Sequence, residues 1–283
     1  MNVKIGFIDY FLDEWHANNY PAWISEASNG RMEVAYAYAK IDSPKPDGMT
    51  TNEWCHKYGV ARCETIEELV EKSDCIIVLS PDDPEHHESL AEIPLRSGKR
   101  TYIDKTFAPD KLSAVRMLSL ADRHKTPCYS SSALRFATEY TGFGENRGGK
   151  AVEAISSWGP GYYGNYSVHQ LEPLIMLMGG VPEAVCYSGT GSFTQLTIRF
   201  EDGRIAVMHQ FVNGSPFMMQ ICTANENKIV EVKSDFFKDF MKELVDFFDT
   251  GDVKVDPVET IRIMAVREAG LKAQLKPGKW IKV

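Results

Sequence analysis

A chain of 283 residues, 43% hydrophobic and 25% charged, is long enough for one large domain or two ordinary ones and has the composition of a soluble globular protein. Its formal net charge of -8 repels phosphate backbones and argues against a nucleic-acid partner, while leaving room for a local basic pocket. Six cysteines without a CxxC pair argue against a zinc site or disulfide framework and read as free thiols of a reducing cytoplasm. The first apolar run reads as a strand rather than a signal peptide, and no segment approaches the roughly 20 apolar residues of a membrane span.

Val3 to Ile8 is the first expected strand, running straight into the turn Asp9-Tyr10-Phe11-Leu12. Residues 33–38 (EVAYAY) read as a second. Thr65-Ile66-Glu67-Glu68 has the form of a capping box, with Thr65 as N-cap and Glu68 three residues on. Residues 74–79 (DCIIVL) form a continuous apolar run, as in a parallel strand buried on both faces. A helical stretch over 83–97, carrying Leu90, Ile93, Pro94 and Leu95, stops at Gly98. Residues 101–103 give a fourth strand and 127–130 a fifth. Between them, 112–124 places Leu112, Val115, Leu118 and Leu120 at near-helical spacing. Repeated strand–helix–strand units imply a doubly wound parallel sheet, whose ligands lie at the carboxyl ends of the strands.

After about residue 135 the pattern changes. Residues 142–149 are glycine-rich and read as a loop or linker. Alternating runs follow at 151–158, 194–200 and 204–211, the last two joined by the hairpin signal Glu201-Asp202-Gly203. Residues 219–223 and 228–233 continue a mostly antiparallel sheet. Two helices close the chain. In the first, over 235–249, Phe236, Phe240, Leu244 and Phe248 share a face, either as core or as a cofactor box. The second opens at Asp256-Pro257-Val258-Glu259 with an N-cap, Pro at N1 and Glu at N3.

Two stretches carry candidate chemistry. In Asp104-Lys105-Thr106, Lys105 directly follows a strand and lies at the sheet's carboxyl edge, although a lysine there also reads as a solvated surface side chain. Ser80-Pro81 ends the third strand and leads through Asp82-Asp83-Pro84-Glu85-His86 to His87. In the second stretch, Asn165 and His169 are i and i+4 on one helix face, with Glu172 three further on. A histidine so flanked suits acid–base work near neutral pH, and equally a hydrogen-bonded interior position.

In order along the chain these stretches resemble the glucose–fructose oxidoreductase / inositol dehydrogenase / rhizopine-catabolism (Gfo/Idh/MocA) family. Asp104-Lys105-Thr106 matches its acidic-Lys-Pro motif, and Pro81 through His87 its Pro-x-x-x-His segment. Ser132-Ala133-Leu134-Arg135-Phe136 resembles the Arg-Phe that ends its nucleotide domain, and Asn165 with His169 its Asp-x-x-x-His motif. Gly179-Gly180 after Met178 also fits. The resemblance implies an α/β Rossmann domain over 1–135 binding NAD or NADP. It also implies an α+β domain over 136–283 with an open, mostly antiparallel sheet for substrate and oligomer contacts, its C-terminal helices free to pack back on the first. The implied reaction moves a hydride between the nicotinamide and a hydroxyl of a sugar, sugar acid or cyclitol, in a cytoplasmic homodimer or homotetramer without a metal. Lys105 would orient the nicotinamide ribose and hydrogen-bond the reacting hydroxyl, His169 would take its proton, and Asn165 would stand where a carboxylate normally polarises the site. The implied cofactor contacts are Gly6, Asp9, Tyr10, Phe11, Lys40, Ser80, Pro81, His87, Asp104 and Lys105.

The chain departs from the family pattern in three places. Gly6 is followed by Asp9, Tyr10, Phe11 and Leu12 where G-x-G-x-x-G keeps small residues so that a backbone can approach a pyrophosphate. After the second strand, Ala39-Lys40-Ile41-Asp42 replaces the acidic residue that grips a ribose, so that Lys40 suits a 2′-phosphate or simply faces water. Thr106 stands for Pro and Asn165 for Asp. Two other readings therefore stay open: a degenerate member that binds a sugar-like ligand or a protein partner without redox chemistry, and an enzyme running elimination or hydrolysis with His169 as base. Substrate contacts are expected near Trp158, Tyr162 and Tyr163, which also read as packing residues.

Overall fold

In a computed structural model describing residues 2–146 and 151–283, the chain divides into two compact units. The first comprises residues 1–131 with 241–257, the second 132–240 with 258–283.

The first unit is built on β1 (Val3–Asp9), α1 (Trp15–Ala27), β2 (Met32–Ala39), α2 (Thr51–Tyr58), β3 (Ala61–Arg62), α3 (Ile66–Lys72) and β4 (Cys75–Val78). A 3-10 turn at Pro84–His86 then leads into α4 (His87–Arg96), β5 (Thr101–Ile103), α5 (Lys111–Arg123) and β6 (Cys128–Tyr129). The six strands are all parallel, in the order β3-β2-β1-β4-β5-β6. Every residue of β4 and the last five of β1 are buried, as strands covered by helices on both faces require. The order reverses between β1 and β4, and that is where a doubly wound sheet opens a crevice for a ligand. Thr65 caps α3 by accepting from the Glu68 amide, but the Glu68 carboxylate turns back to the Glu64 amide instead of closing the box on Thr65. The reciprocal capping box belongs to α2, between Thr50 and Glu53.

The second unit carries a 3-10 turn at Ala133–Phe136, then α6 (Thr138–Asn146), β7 (Val152–Pro160), α7 (Tyr163–Met178) and β8 (Pro182–Thr190). β9 (Phe193–Phe200), β10 (Ile205–Phe211), β11 (Met218–Thr223) and β12 (Glu226–Glu231) follow. After α8 (Phe236–Thr250), whose residues from Met241 onward belong to the first unit, α9 (Pro257–Gln274) and β13 (Trp280–Lys282) complete the chain. Its seven strands run in the order β12-β11-β7-β10-β9-β8-β13, antiparallel except for the parallel pair β7 and β10. Gly203, at φ 85°, makes the turn between β9 and β10. Helix α6 runs through Gly142 to Asn146, so the glycine-rich stretch is helical there and not a loop, while its residues 147–149 lie outside the described residues. Phe240, Leu244 and Phe248 of the α8 stripe are fully buried, which is the core role. Among the described residues no helix is long and apolar enough to cross a membrane, and no group of His, Cys, Asp and Glu could hold a metal ion.

Candidate functional site

Four strand ends of the first unit deliver polar residues to one edge of the sheet. Asp104 follows β5 and is buried, with three donors on its carboxylate: His16 Nδ1, the Lys105 amide at 2.9 Å and the Tyr102 hydroxyl at 3.2 Å. Burial alone would raise its pKa, but the charge and hydrogen bond of His16 hold it below the usual carboxylate value. His16 is the reciprocal case: burial disfavours its charge, yet Asp104 keeps its pKa above the ordinary histidine value. Lys105, 7% exposed, turns its ammonium back to the loop after β4, donating to the Pro81 carbonyl at 3.0 Å and lying 3.4 Å from Asp82 Oδ1. The sequence allowed a solvated lysine, and the fold buries it instead.

The turn after β1 is filled by side chains. Asp9 is 1% exposed: one carboxyl oxygen accepts from the Tyr10 amide at 2.7 Å, and the other is buried with no partner among the described residues. Burial, and then the nearby Glu14, push its pKa well above the carboxylate range. Glu14, 7% exposed, is the N-cap of α1, accepting from the amides of His16 at 2.7 Å and of Ala17. Burial pushes its pKa up to about 7. The Tyr10 ring lies flat on His86, with centroids 3.8 Å apart and planes 11° apart, which ties the turn after β1 to the turn after β4. Phe11 packs edge-on against Tyr10 and beneath the Lys45 ammonium.

The other expected cofactor contacts divide. Ser80 and Pro81 lie at the end of β4, Ser80 at φ 78° with its hydroxyl on the Asp83 carbonyl at 3.1 Å. Lys40 is exposed just past β2, where its amide donates to the Asp9 carbonyl at 3.1 Å. Gly6 sits inside β1, away from the turn; a Cβ there would meet Leu69 Cδ2 and Ser73 Oγ at 2.4 Å, so the missing side chain lets α3 close on the strand. His87 is fully enclosed, its ring nitrogens 3.0 Å from the Phe107 carbonyl and 2.6 Å from the Leu79 carbonyl. It braces the chain after β4 against the chain after β5.

In the second unit, α7 carries Asn165 and His169. Its first turn is clamped to α9: the Tyr163 hydroxyl lies 3.3 Å from the carbonyls of Val266 and Arg267, and the Arg267 guanidinium donates to the Gly164 carbonyl at 2.7 Å. Tyr163 is thereby a packing residue, while Tyr162 stays exposed and Trp158 stacks on His209. Two turns further on, Gln170 accepts from the Ser157 hydroxyl at 2.6 Å and fastens the helix to β7. His169 is held by Ser132, whose hydroxyl is 2.6 Å from Nδ1 and also accepts from the Leu134 amide at 3.3 Å. The rings of Tyr166 and Phe217 meet the imidazole edge-on. Asn165 is half-buried on the same helix, and Glu172 is buried. Glu14, His16 and Ser132 were not singled out as site residues: their partners are set by the fold, 88 residues away for His16 and 37 for Ser132.

No family model and no curated protein matches this sequence. Solved structures do match. Myo-inositol dehydrogenase from Lactobacillus casei, in complex with NAD(H) and myo-inositol, is 12% identical with a TM-score of 0.82, covering 100% of this chain and 97% of that one. Apo scyllo-inositol dehydrogenase from the same organism is 14% identical with a TM-score of 0.79, covering 99% and 98%. A probable dehydrogenase from Thermotoga maritima is 12% identical with a TM-score of 0.79, covering 99% and 98%. At these identities the shared property is the fold: a Rossmann-type parallel sheet followed by a mixed, mostly antiparallel one, over the whole of each chain.

Proposed function

We propose that the protein is an oxidoreductase that uses NAD or NADP to move a hydride to or from a hydroxyl of a sugar, sugar acid or cyclitol. The observation that carries this reading is the Asp104–Lys105 pair at the carboxyl end of β5, in a parallel sheet with the order of dinucleotide-binding domains. Its support from likeness is that dehydrogenases with that fold include one holding NAD(H) and myo-inositol.

The donor set suits a dinucleotide at both ends. At one end, the amides that open α1 already carry an anion, the carboxylate of Glu14, and so have the chemistry of a phosphate cradle. At the other, Lys105 offers an ammonium whose position is fixed by the Pro81 carbonyl and by its own amide bond to Asp104. When bound, the nicotinamide supplies the hydride acceptor or donor. Lys105 orients the ribose and hydrogen-bonds the reacting hydroxyl, where a cation lowers the cost of alkoxide character. His169 takes or returns the hydroxyl proton, and Ser132 fixes its ring; a positioned base contributes roughly 10²–10⁴-fold. Asn165, an amide in place of a carboxylate, orients without adding charge. Assembly as a homodimer or homotetramer belongs to the same reading.

Nicotinamide fluorescence during titration with NADH and NADPH tests it. Saturable binding of at least one is expected, weakened in Lys105→Met. No saturable signal with either at millimolar concentration contradicts the reading and leaves a ligand-binding protein without hydride transfer.

A further inference from the structure

We propose that Glu14 is an internal anion seated in the phosphate slot, and that a dinucleotide binds only by displacing this side chain from the start of α1. The inference rests on the dinucleotide reading above and adds to it a gate built into the chain.

Three observations converge on it. First, α1 follows the strand that borders the switch point of the sheet, where the helix amides are the natural seat of a pyrophosphate. Here the amides of His16 and Ala17 are both in use by one carboxylate. That carboxylate is enclosed, unlike the short, solvent-washed side chains that ordinarily cap helices. Second, Asp9 lies beside Glu14, almost wholly buried, with one carboxyl oxygen unpartnered among the described residues. Burial and then the Glu14 charge favour its protonated form, which makes the oxygen without a partner among the described residues a hydroxyl donor that seeks an acceptor. A phosphate oxygen in place of Glu14 supplies that acceptor and removes the neighbouring carboxylate from Asp9. Third, the stack of Tyr10 on His86 joins the two turns that flank the switch point and closes them on each other.

Exchange of one anion for another on the same amides is a competition, and the outcome depends on the charge of the resident. The titratable groups acting on Glu14 are His16 on α1, Asp9 at the end of β1 and Asp104 after β5, with Lys105 acting on His16. Rising pH charges Glu14 and discharges His16, and both changes oppose an incoming phosphate. Removing the Glu14 charge separates the two contributions.

The test is NADH binding, followed by nicotinamide fluorescence and by calorimetry, to the wild-type protein, Glu14→Gln and Glu14→Ala, at about pH 6 and pH 8. Both variants are expected to bind about tenfold tighter than wild type or better, and to show a smaller loss of affinity with rising pH. Glutamine keeps the size and an acceptor oxygen, and thermal melts of both variants establish that they are folded. Equal or weaker binding in folded variants overturns the gate while the dinucleotide reading stands on the wild-type signal. Tight binding in the variants and none in wild type supports the gate and overturns hydride transfer by the natural chain. No binding by any of the three overturns both.

Discussion

Ser132 illustrates how one buried hydroxyl decides what a histidine can do. Its oxygen accepts the Leu134 amide hydrogen and meets His169 Nδ1 at 2.6 Å. That bond commits Nδ1 and assigns any proton transfer to Nε2. Ser132→Ala is expected to lower kcat by about tenfold with little change in KM and to shift the pH profile of kcat, whereas Ser132→Thr, which keeps the hydroxyl, restores both. An unchanged profile in the alanine variant would show that the hydroxyl only packs. The same scale explains the buried charges of the first unit. Asp104 stays ionised in the interior because the charge and hydrogen bond of His16, and then the charge and amide of Lys105, outweigh its burial. At Asp9 and Glu14 burial outweighs the backbone donors, and their pKa values rise instead.

At the scale of elements, Gly6 sets how closely α3 approaches β1. A Cβ at this position meets the side chains of Leu69 on α3 and of Ser73 just past its end, each at 2.4 Å, so these side chains have to shift to admit it. Gly6→Ala is therefore expected to destabilise the first unit by about 1–3 kcal/mol, read from denaturant unfolding, with no direct effect on ligand contacts. The parallel strands were legible because buried strands are continuous apolar runs, DCIIVL most clearly. Helix α1 was not: it is capped by a glutamate, contains Pro21 and has only a weak apolar stripe. Strand β8 was missed because its outer half is polar and exposed, and β13 because three half-exposed residues carry no periodic signal. Lys105 and His169 stand out as candidates from their places after a strand and on a helix face. The Glu14 plug could not, since a carboxylate next to a helix start reads as an ordinary charged turn until its burial is known.

For the whole molecule, the two buried acids with raised pKa values, Glu14 and Asp9, make stability fall as pH rises. The Glu14 carboxyl titrates near 4.5 when unfolded and at about 7 when folded, so between those values the native state binds more protons and stability drops as pH increases. Asp9 acts in the same sense, its folded pKa also being raised. His16 adds to it: its raised pKa contributes stability that is complete below about 6.5 and lost as pH passes the folded value. Between about pH 6.5 and pH 8, above the range where the buried His87 with its lowered pKa acts in the opposite sense, melting temperature is expected to fall, with a shallower slope in Glu14→Gln; a rise over that span would place the charges elsewhere. The central claim, that a dinucleotide occupies the edge of the parallel sheet, is tested most directly by a crystal structure grown with NADH. The expected result is a pyrophosphate on the amides of His16 and Ala17, Glu14 turned out, and the nicotinamide ribose at Lys105. A crystal saturated with NADH in which Glu14 keeps those amides and no dinucleotide lies along the strand ends would contradict it.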